Sequence, residues 1–317
     1  ANYVANMEVI GGIETVTVNI LEESKKSILV QFETSLEEDF IFGEYENTAT
    51  FTNDGTPIPL EASVQPDFGN SFAIKDGKQT GASKISWNVK VNYSQSKIED
   101  FEVYDELGPD LIYVDGSLKI YPVSVVEAGE DWEYIKSDET IEADKYTLTT
   151  DRDMLTGISW LKVRFNETIN TPYIIEYDTT FIAGNGDTIS NKVSVKGGEY
   201  ELIETPVEKE IIVITSQAGG SGSSNRGSLV ITKVGEGNSH LFEGLKFDLY
   251  TILNNKRTLI RSGVTNDQGI LKFEQLRNGT YYLVEDVEAN DALIDEEYVV
   301  GEDEFDGIEI VINNEHN

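Results

Sequence analysis

Short runs in which apolar and polar residues alternate recur along almost the whole 317-residue chain. Examples are ETVTVNI, KISWNVKVNY and LVITK, and Gly, Asn and Asp residues suited to tight turns separate such runs. A period of two places successive side chains on opposite faces of a strand. The pattern therefore predicts an all-β protein of tandem antiparallel β-sandwiches with little helix.

One stretch of Gly and Ser interrupts this alternation, SQAGGSGSSNRG at residues 216–227. Because Gly and Ser provide neither packing side chains nor backbone stiffness, the stretch is predicted to be a flexible linker that spans about 19 Å. We expect one architecture before the linker and a different domain after it, at residues 228–317.

The part before the linker contains an internal repeat with a period of about 145 residues, the length of a whole domain. The segment GIETVTVNILEESKKSILVQFET, from Gly12, aligns without a gap with the segment that starts at Gly157. We therefore predict a complete domain at residues 64–215. Residues 1–63 match only the C-terminal half of such a domain, so we expect them to have unpaired strand edges and the sequence to begin in mid-protein.

Charge and cysteine content exclude several classes of function. The chain has 58 acidic and 24 basic residues, and its net charge of -34 repels phosphate backbones and anionic membranes. We therefore expect no nucleic-acid partner, and no stretch is apolar enough for membrane insertion. The chain has no cysteine, so an extracellular form needs a source of stability other than disulfides.

The segment VTNDQGILKFEQLRNGTYYLVED near the C-terminus carries a specific set of residues: Gly269, Phe273, Leu276, Gly279, Tyr281, Leu283 and Glu285. With this pattern, residues 228–317 resemble the B-repeat (SpaA-like) domains of Gram-positive collagen adhesins and pilins, which are transthyretin-like β-sandwiches. The resemblance implies that a lysine on the first strand condenses with an asparagine on the last, and that a glutamate between them promotes the reaction.

Strand alternation assigns residues of this chain to those roles. Lys233 shares a predicted strand face with two apolar residues of LVITK, and Glu285 shares a face with Tyr281, so both charged groups should point into the core. On the last predicted strand, IEIVINN, the alternation places Asn314 inward, and Asn313 is the alternative if the register slips.

Burial would give these groups the chemistry that the resemblance implies. An ammonium among apolar side chains has its pKa lowered and a buried carboxyl has its pKa raised, so neutral amine and neutral acid can coexist. The amine is then a nucleophile, and the protonated glutamate can stabilise charge on the asparagine carboxamide while ammonia leaves. The resulting isopeptide bond would constrain the unfolded chain as a disulfide does.

Residues 64–215 carry the motifs IKDGKQTG, ISWNVKVN, VYDEL, DGSLKIY and ISNKVSV. They resemble the immunoglobulin-like adhesive or backbone domains of the same surface proteins. The resemblance implies a second isopeptide bond between Lys75 and Asn191, promoted by Asp105. Lys78 and Lys84 are alternative lysines.

The first copy of the repeat lacks most of such a site. Asn47 aligns with Asn191 after one residue of slippage, but no lysine or aspartate of this chain aligns with the other two positions. We therefore expect no isopeptide bond in residues 1–63.

Two functions remain open at this point. The first is a structural stalk or adhesin segment, extracellular and attached to the cell wall, with export signal and anchor outside this chain and further domains of the same surface protein as neighbours. The second is a module that binds collagen or another extracellular-matrix protein. For the second, Trp132 in the polar insertion AGEDWEYIK is the candidate contact, whereas Trp87 and Trp160 are expected in the core.

We expect no enzyme activity on an external substrate and no metal or cofactor. The two histidines, His240 and His316, fall in a predicted loop and at the C-terminal end, and no hydrolase or nucleotide-binding motif occurs. The acidic run at 285–306 lacks the regular spacing of a calcium loop, and such runs usually form solvated faces.

Overall fold

The computed structural model describes twelve stretches of the chain: 2–11, 13–22, 26–36, 40–41, 43–53, 55–129, 131–198, 200–203, 205–214, 226–233, 242–290 and 307–313. The chain divides into two compact units, residues 1–37 and 38–317.

The first unit contains a β-hairpin. Strands β1 (Tyr3–Ile10) and β2 (Ile13–Ile20) pair in antiparallel register, with Tyr3 opposite Ile20. Its apolar side chains stay in solvent, as Met7 and Ile13 show with exposed fractions of 73% and 70%. The hairpin therefore has strand geometry with almost no buried face.

The second unit begins with another exposed hairpin, formed by β3 (Tyr45–Asn53) and β4 (Thr56–Val64). Asn47 lies on β3 with an exposed side chain. That residues 1–63 are half of a domain stays a prediction.

Two antiparallel sheets follow and form a β-sandwich. The first sheet contains β5 (Ala73–Gly81), β6 (Lys84–Val91), β8 (Leu111–Tyr113), β9 (Lys119–Ala128), β10 (Asp131–Lys136) and β13 (Tyr173–Phe181). The second contains β7 (Phe101–Leu107), β11 (Tyr146–Arg152), β12 (Ser159–Phe165), β14 (Thr188–Gly197), β15 (Tyr200–Glu201) and β16 (Val207–Ile212), and a 3-10 turn at Ala143–Lys145 precedes β11. The strand orders are β10-β9-β13-β6-β5, with β8 beside β13, and β11-β12-β7-β14-β15, with β16 also beside β14.

The core of this sandwich lies between the two sheets, where the predicted alternation holds. Trp87 is 1% exposed there, and its indole nitrogen donates a hydrogen bond to Thr179 Oγ1 at 2.9 Å. The expectation that Trp160 is also a core residue is wrong, because Ser159 and Leu161 take the inward positions of β12. Trp160 points outward and packs against Tyr104, with ring centroids 5.8 Å apart.

A second sandwich occupies the C-terminal part. Strands β17 (Arg226–Thr232) and β20 (Ile270–Arg277) form one sheet, and β18 (Lys246–Leu253), β19 (Lys256–Val264), β21 (Gly279–Glu285) and β22 (Ile308–Ile312) form the other, in the order β19-β18-β21-β22. A single helical turn, Val287–Asn290, follows β21. In the described part of the chain, no helix has the length and apolar character needed to cross a membrane. The all-β fold class is confirmed.

Arg226 and Gly227, the last two residues of the predicted linker, lie on β17. Residues 216–225 lie outside the described residues, so the rest of the linker stays a prediction. The two sandwiches contact each other directly. Asp110 of the first sandwich accepts hydrogen bonds from Arg226 at 2.7 and 3.2 Å and forms an ion pair with Arg277 at 2.8 Å. Arg277, which is 5% exposed, also pairs with Asp187 at 2.9 Å and donates to the Thr188 carbonyl. A buried charge network thus joins the sandwiches.

Backbone and apolar contacts extend this interface. The Ser262 amide donates to the Met154 carbonyl at 2.9 Å. Gly157 has φ +75° and lies against the Arg261 guanidinium, so that a Cβ there would approach Nη1 to 1.7 Å and only glycine fits. Two side chains of the first sandwich pack against the core of the second, Ile112 and Ile182.

Replacing Asp110 with Ala tests this interface. The change removes one of the two carboxylates that pair with the nearly buried Arg277 and leaves only Asp187. Breaking a buried ion pair in this way lowers the free energy of unfolding by about 3 kcal/mol. We expect calorimetry to show less cooperative unfolding and protease to cut 216–227 faster. Glu167→Ala, which breaks an exposed pair with Lys145, is the control; equal behaviour of the two variants would contradict a stabilising interface.

Candidate functional site

Four polar side chains meet in the apolar core between the two sheets of the first sandwich. Lys75 on β5 and Tyr177 on β13 come from the first sheet, and Asp105 on β7 and Asn191 on β14 come from the second. Each lies at an inward position of its strand, and none is more than 6% exposed. The fold therefore brings together the three residues that the sequence nominates, with Tyr177 as a fourth that sequence reasoning missed.

The four side chains form one hydrogen-bonded cluster. Lys75 Nζ lies 2.5 Å from Asp105 Oδ2 and donates to Tyr177 Oη at 3.1 Å. The Tyr177 hydroxyl donates to the same Asp105 oxygen at 2.8 Å, and Asn191 Nδ2 donates to Tyr177 Oη at 2.8 Å. Tyr177 thus connects the acid to the amide.

Burial dominates the electrostatics of the cluster. Desolvation lowers the pKa of Lys75, although Asp105 opposes that effect by its charge and hydrogen bond. Desolvation likewise raises the pKa of Asp105, against the influence of Lys75. It also raises the pKa of Tyr177 well above 10, and the neighbouring Asp105 adds to this. The site therefore favours uncharged amine, acid and phenol.

Two buried oxygens of the cluster have no hydrogen-bond partner within the described residues, Asp105 Oδ1 and Asn191 Oδ1. Buried polar atoms are normally paired, so these two oxygens mark a place where bonding is incomplete. If the Asp105 carboxyl is protonated, it can donate a hydrogen bond to the carboxamide oxygen of Asn191. The arrangement supplies a nucleophilic amine, an acid and a carboxamide in one dry site.

The alternative lysines do not reach this cluster. Lys78 is exposed on β5, and Lys84 pairs with Asp178 at 2.5 Å on the outer face of the sheet. Asp105 does not begin a turn but lies inside β7.

The C-terminal sandwich holds a second, smaller cluster. Lys233 follows directly after β17, one residue beyond the strand on which it was predicted, and its Nζ lies 2.8 Å from Glu285 Oε2. The side chain of Lys233 is 19% exposed and that of Glu285 only 3%. Glu285 Oε1 is buried without a partner among the described residues. The predicted pairing of amine and acid is present.

The asparagine partner is less well defined. Ile310 and Ile312 of β22 pack against the core as the alternation predicts. Asn313, which follows them, is exposed. Asn314 lies outside the described residues, so its assignment stays a prediction, as does any role of residues 291–306 of the acidic run.

Comparison with known families finds a match for each of the two sandwiches. Residues 71–204 match the family model of the collagen binding domain, and residues 227–316 match the SpaA model, a prealbumin-like fold domain. Each match falls on one sandwich, and neither covers half of the chain. We call the first sandwich, which matches the collagen binding domain model, the collagen-binding-type domain, and the second, which matches the SpaA model, the prealbumin-like domain.

Three solved structures show how distant the similar proteins are. The collagen binding subdomain of the Enterococcus faecalis surface protein ACE is 18% identical; the match covers 44% of this chain and 92% of that one, with a TM-score of 0.28. The collagen-binding domain of a Staphylococcus aureus adhesin is 15% identical; the match covers 44% of this chain and 97% of that one, with a TM-score of 0.33. The Corynebacterium diphtheriae major pilin SpaA is 14% identical; the match covers 68% of this chain and 60% of that one, with a TM-score of 0.32. No curated protein matches the sequence significantly. The assignment therefore rests on the two family models.

The collagen-binding-type domain also carries aromatic side chains on the outer face of its first sheet. Tyr93 and Tyr134 stack with centroids 4.8 Å apart, Phe68 meets Tyr134 edge-on at 4.7 Å, and Lys136 lies 3.8 Å from the centre of the Tyr121 ring. We call Phe68, Tyr93, Tyr121 and Tyr134 the aromatic patch. Trp132 lies on the same edge strand, β10, and is 50% exposed, as its predicted role requires.

A Lys75→Met variant tests the electrostatics of the buried cluster. Without the amine, burial raises the pKa of Asp105 unopposed. A carboxyl with a raised folded-state pKa stabilises the fold below the unfolded value of 3.8 and loses that contribution as the pH rises through its folded pKa. We expect the free energy of unfolding to fall as the pH rises above the unfolded value, by about 1.4 kcal/mol per pH unit until the pH passes the raised pKa of Asp105.

Denaturant unfolding at a series of pH values measures this effect. Lys75→Met/Asp105→Asn is the matched control, because it keeps the shape and removes the titrating group. Parallel pH profiles for the two variants would show that Asp105 does not titrate as its burial requires.

Proposed function

We propose that this chain is a structural segment of a cell-wall-attached surface adhesin or pilus-like stalk, stabilised by intramolecular lysine–asparagine isopeptide bonds. Both matched families consist of non-enzymatic domains of extracellular surface proteins. The observation that carries the proposal is the Lys75–Asp105–Asn191 cluster, because such a set is costly to bury without a chemical use.

The first bond would form by condensation. The neutral Lys75 amine attacks Cγ of Asn191 while protonated Asp105 donates a hydrogen bond to the carboxamide oxygen. The C–N bond to Nδ2 then breaks. Lys75 Nζ loses one proton in total, Nδ2 gains one and leaves as ammonia, and an amide remains. The reaction needs no oxidant, metal or cofactor, since the folded core supplies the proximity.

The benefit would be stability without cysteine. A link from Lys75 to Asn191 closes a loop of about 115 residues, for which the loss of chain entropy in the unfolded state stabilises the fold by on the order of 5 kcal/mol. It also converts a buried amine, which burial keeps from being protonated, into an amide that carries no charge at any pH. We propose an equivalent link from Lys233 to Asn314, with Glu285 in the role of Asp105.

Intact mass spectrometry tests both bonds together. We expect the full chain to be lighter than its calculated mass by two molecules of ammonia, because each condensation releases one. Lys75→Ala and Lys233→Ala should each restore the mass of one ammonia, after allowance for the substitution. Tandem mass spectrometry of proteolytic digests should identify branched peptides joined at Asn191 and Asn314.

Lys78→Ala is the control, since Lys78 lies exposed on the same strand as Lys75. It should leave the ammonia loss complete. An unmodified wild-type mass would refute both links, and a branched peptide at Asn313 would move the second link by one residue.

A second candidate function is recognition of collagen or another extracellular-matrix protein. It is favoured by the match of residues 71–204 to the collagen binding domain model and by the aromatic patch with Trp132 beside it. Of these side chains, Phe68 and Trp132 are exposed, at 43% and 50%, whereas Tyr93 is buried beneath the surface. Aromatic side chains contribute a large share of binding energy at protein interfaces. The shaft and binding functions are compatible in one domain.

Solid-phase binding to collagen with wild type and Trp132→Ala tests this candidate. Loss of a contacting tryptophan side chain costs about 2 kcal/mol, so we expect an affinity at least about tenfold weaker. Trp160→Ala, on the opposite sheet, should bind like wild type. Equal binding by both variants would exclude Trp132 as a contact, and no binding by wild type would leave the shaft function alone.

A further inference from the structure

One atom lies within hydrogen-bond distance of every reacting group in the first cluster, the hydroxyl oxygen of Tyr177. It lies 3.1 Å from Lys75 Nζ, 2.8 Å from Asp105 Oδ2 and 2.8 Å from Asn191 Nδ2. The Asn191 nitrogen is the atom that must leave as ammonia. Its hydrogen bond runs to Tyr177 and not to the acid.

The condensation poses a proton-transfer problem that this geometry solves. An amide nitrogen leaves only when it is protonated, and the proton must come from the attacking lysine nitrogen. Asp105 Oδ2 lies 2.5 Å from Lys75 Nζ and can take that proton. The hydroxyl of Tyr177 bridges Asp105 Oδ2 to the leaving nitrogen.

We propose that Tyr177 is a catalytic residue that relays this proton, an inference that rests on the proposed Lys75–Asn191 bond. In the tetrahedral intermediate, Asp105 Oδ2 accepts a proton from Lys75 Nζ and passes one to the phenol oxygen, while Oδ1 keeps the proton that it donates to the former carboxamide oxygen. Tyr177 gives its own proton to Asn191 Nδ2 as the C–N bond breaks. Asp105 and Tyr177 end as they began, and the net change is the loss of one ammonia.

The surroundings of Tyr177 suit a relay. The residue is 2% exposed, so bulk water does not reach the leaving group to carry the proton instead. Because burial and Asp105 raise the pKa of its phenol, Tyr177 stays protonated at neutral pH and always has a proton to give. Its ring is held between the sheets by the packing of β13, which fixes the hydroxyl in place.

The test compares rates of cross-linking in the full chain made by cell-free translation. Samples taken at intervals after translation stops are analysed by intact mass for the loss of ammonia. We expect Tyr177→Phe, which keeps the ring and removes the hydroxyl, to condense about 100-fold more slowly at the first site. Condensation at Lys233 in the same molecules should keep its wild-type rate and serve as an internal clock.

Tyr113→Phe is the matched control. The Tyr113 ring centre lies 6.2 Å from that of Tyr177. None of the hydrogen bonds seen in the described part of the chain joins its hydroxyl to Lys75, Asp105 or Asn191. This variant should cross-link like wild type.

The outcomes separate the relay from the bond on which it depends. If wild type never loses ammonia at the first site, the proposed bond fails. If wild type and folded Tyr177→Phe react at the same rate, the bond stands and the relay is overturned. Should Tyr177→Phe not fold, 3-fluorotyrosine in place of tyrosine keeps the packing and lowers the phenol pKa; a changed rate at the first site alone supports the relay, and an unchanged rate refutes it.

Discussion

The removal of Lys75 and Asp105 from water governs the first sandwich. Taking two opposite charges into an apolar core costs several kcal/mol per ion unless the geometry compensates for it. Part of the compensation comes from the first sheet, where Trp87 on β6 and Tyr177 on β13 place their rings 5.3 and 5.5 Å from the lysine nitrogen. Condensation with Asn191 would abolish the cost, since an amide carries no charge. Because the charged pair is costly to bury, the site favours the neutral amine and the neutral acid, which are the forms that react.

The junction of the two sandwiches handles charge in a different way. Asp110 and Asp187 lie opposite Arg226 and Arg277. A guanidinium has several hydrogen-bond donors in one fixed plane. Arg277 can therefore bind two carboxylates and a backbone carbonyl at once. No titration is needed to make such a site stable. The core cluster is built for reaction and the junction for fixed geometry.

Much of this could be predicted from the sequence, for identifiable physical reasons. Alternation of period two exposes which side chains share a strand face, and this placed Glu285 with Tyr281 in the core as observed. Tyr177 was missed although its strand, YIIEYDTTF, alternates as clearly as the others, because tyrosine carries no charge that flags it as a reactant. Trp160 was assigned to the wrong face of β12, because Trp160 and Leu161 are adjacent apolar residues. Adjacent apolar residues do not show which of the two faces the core.

The interface between the sandwiches was beyond sequence reasoning. Asp110 and Arg226 are separated by 116 positions, and their meeting depends on how two loops and a strand end are oriented after both domains have folded. The Gly- and Ser-rich composition of 216–227 predicts a flexible linker. It contains no information on whether the domains on either side of the linker contact each other.

The cluster joins the first strand of the domain to a strand near its end, and this placement has a mechanical consequence. Lys75 lies on the first strand of the first sandwich and Asn191 on β14, which pairs with the last strand, β16. With a covalent bond between them, tension entering at β5 would pass straight to β14 and leave along β16. The strands from β6 to β13 would then lie outside the line of force, and the hydrogen-bond ladders that hold them would not be sheared when the stalk is pulled.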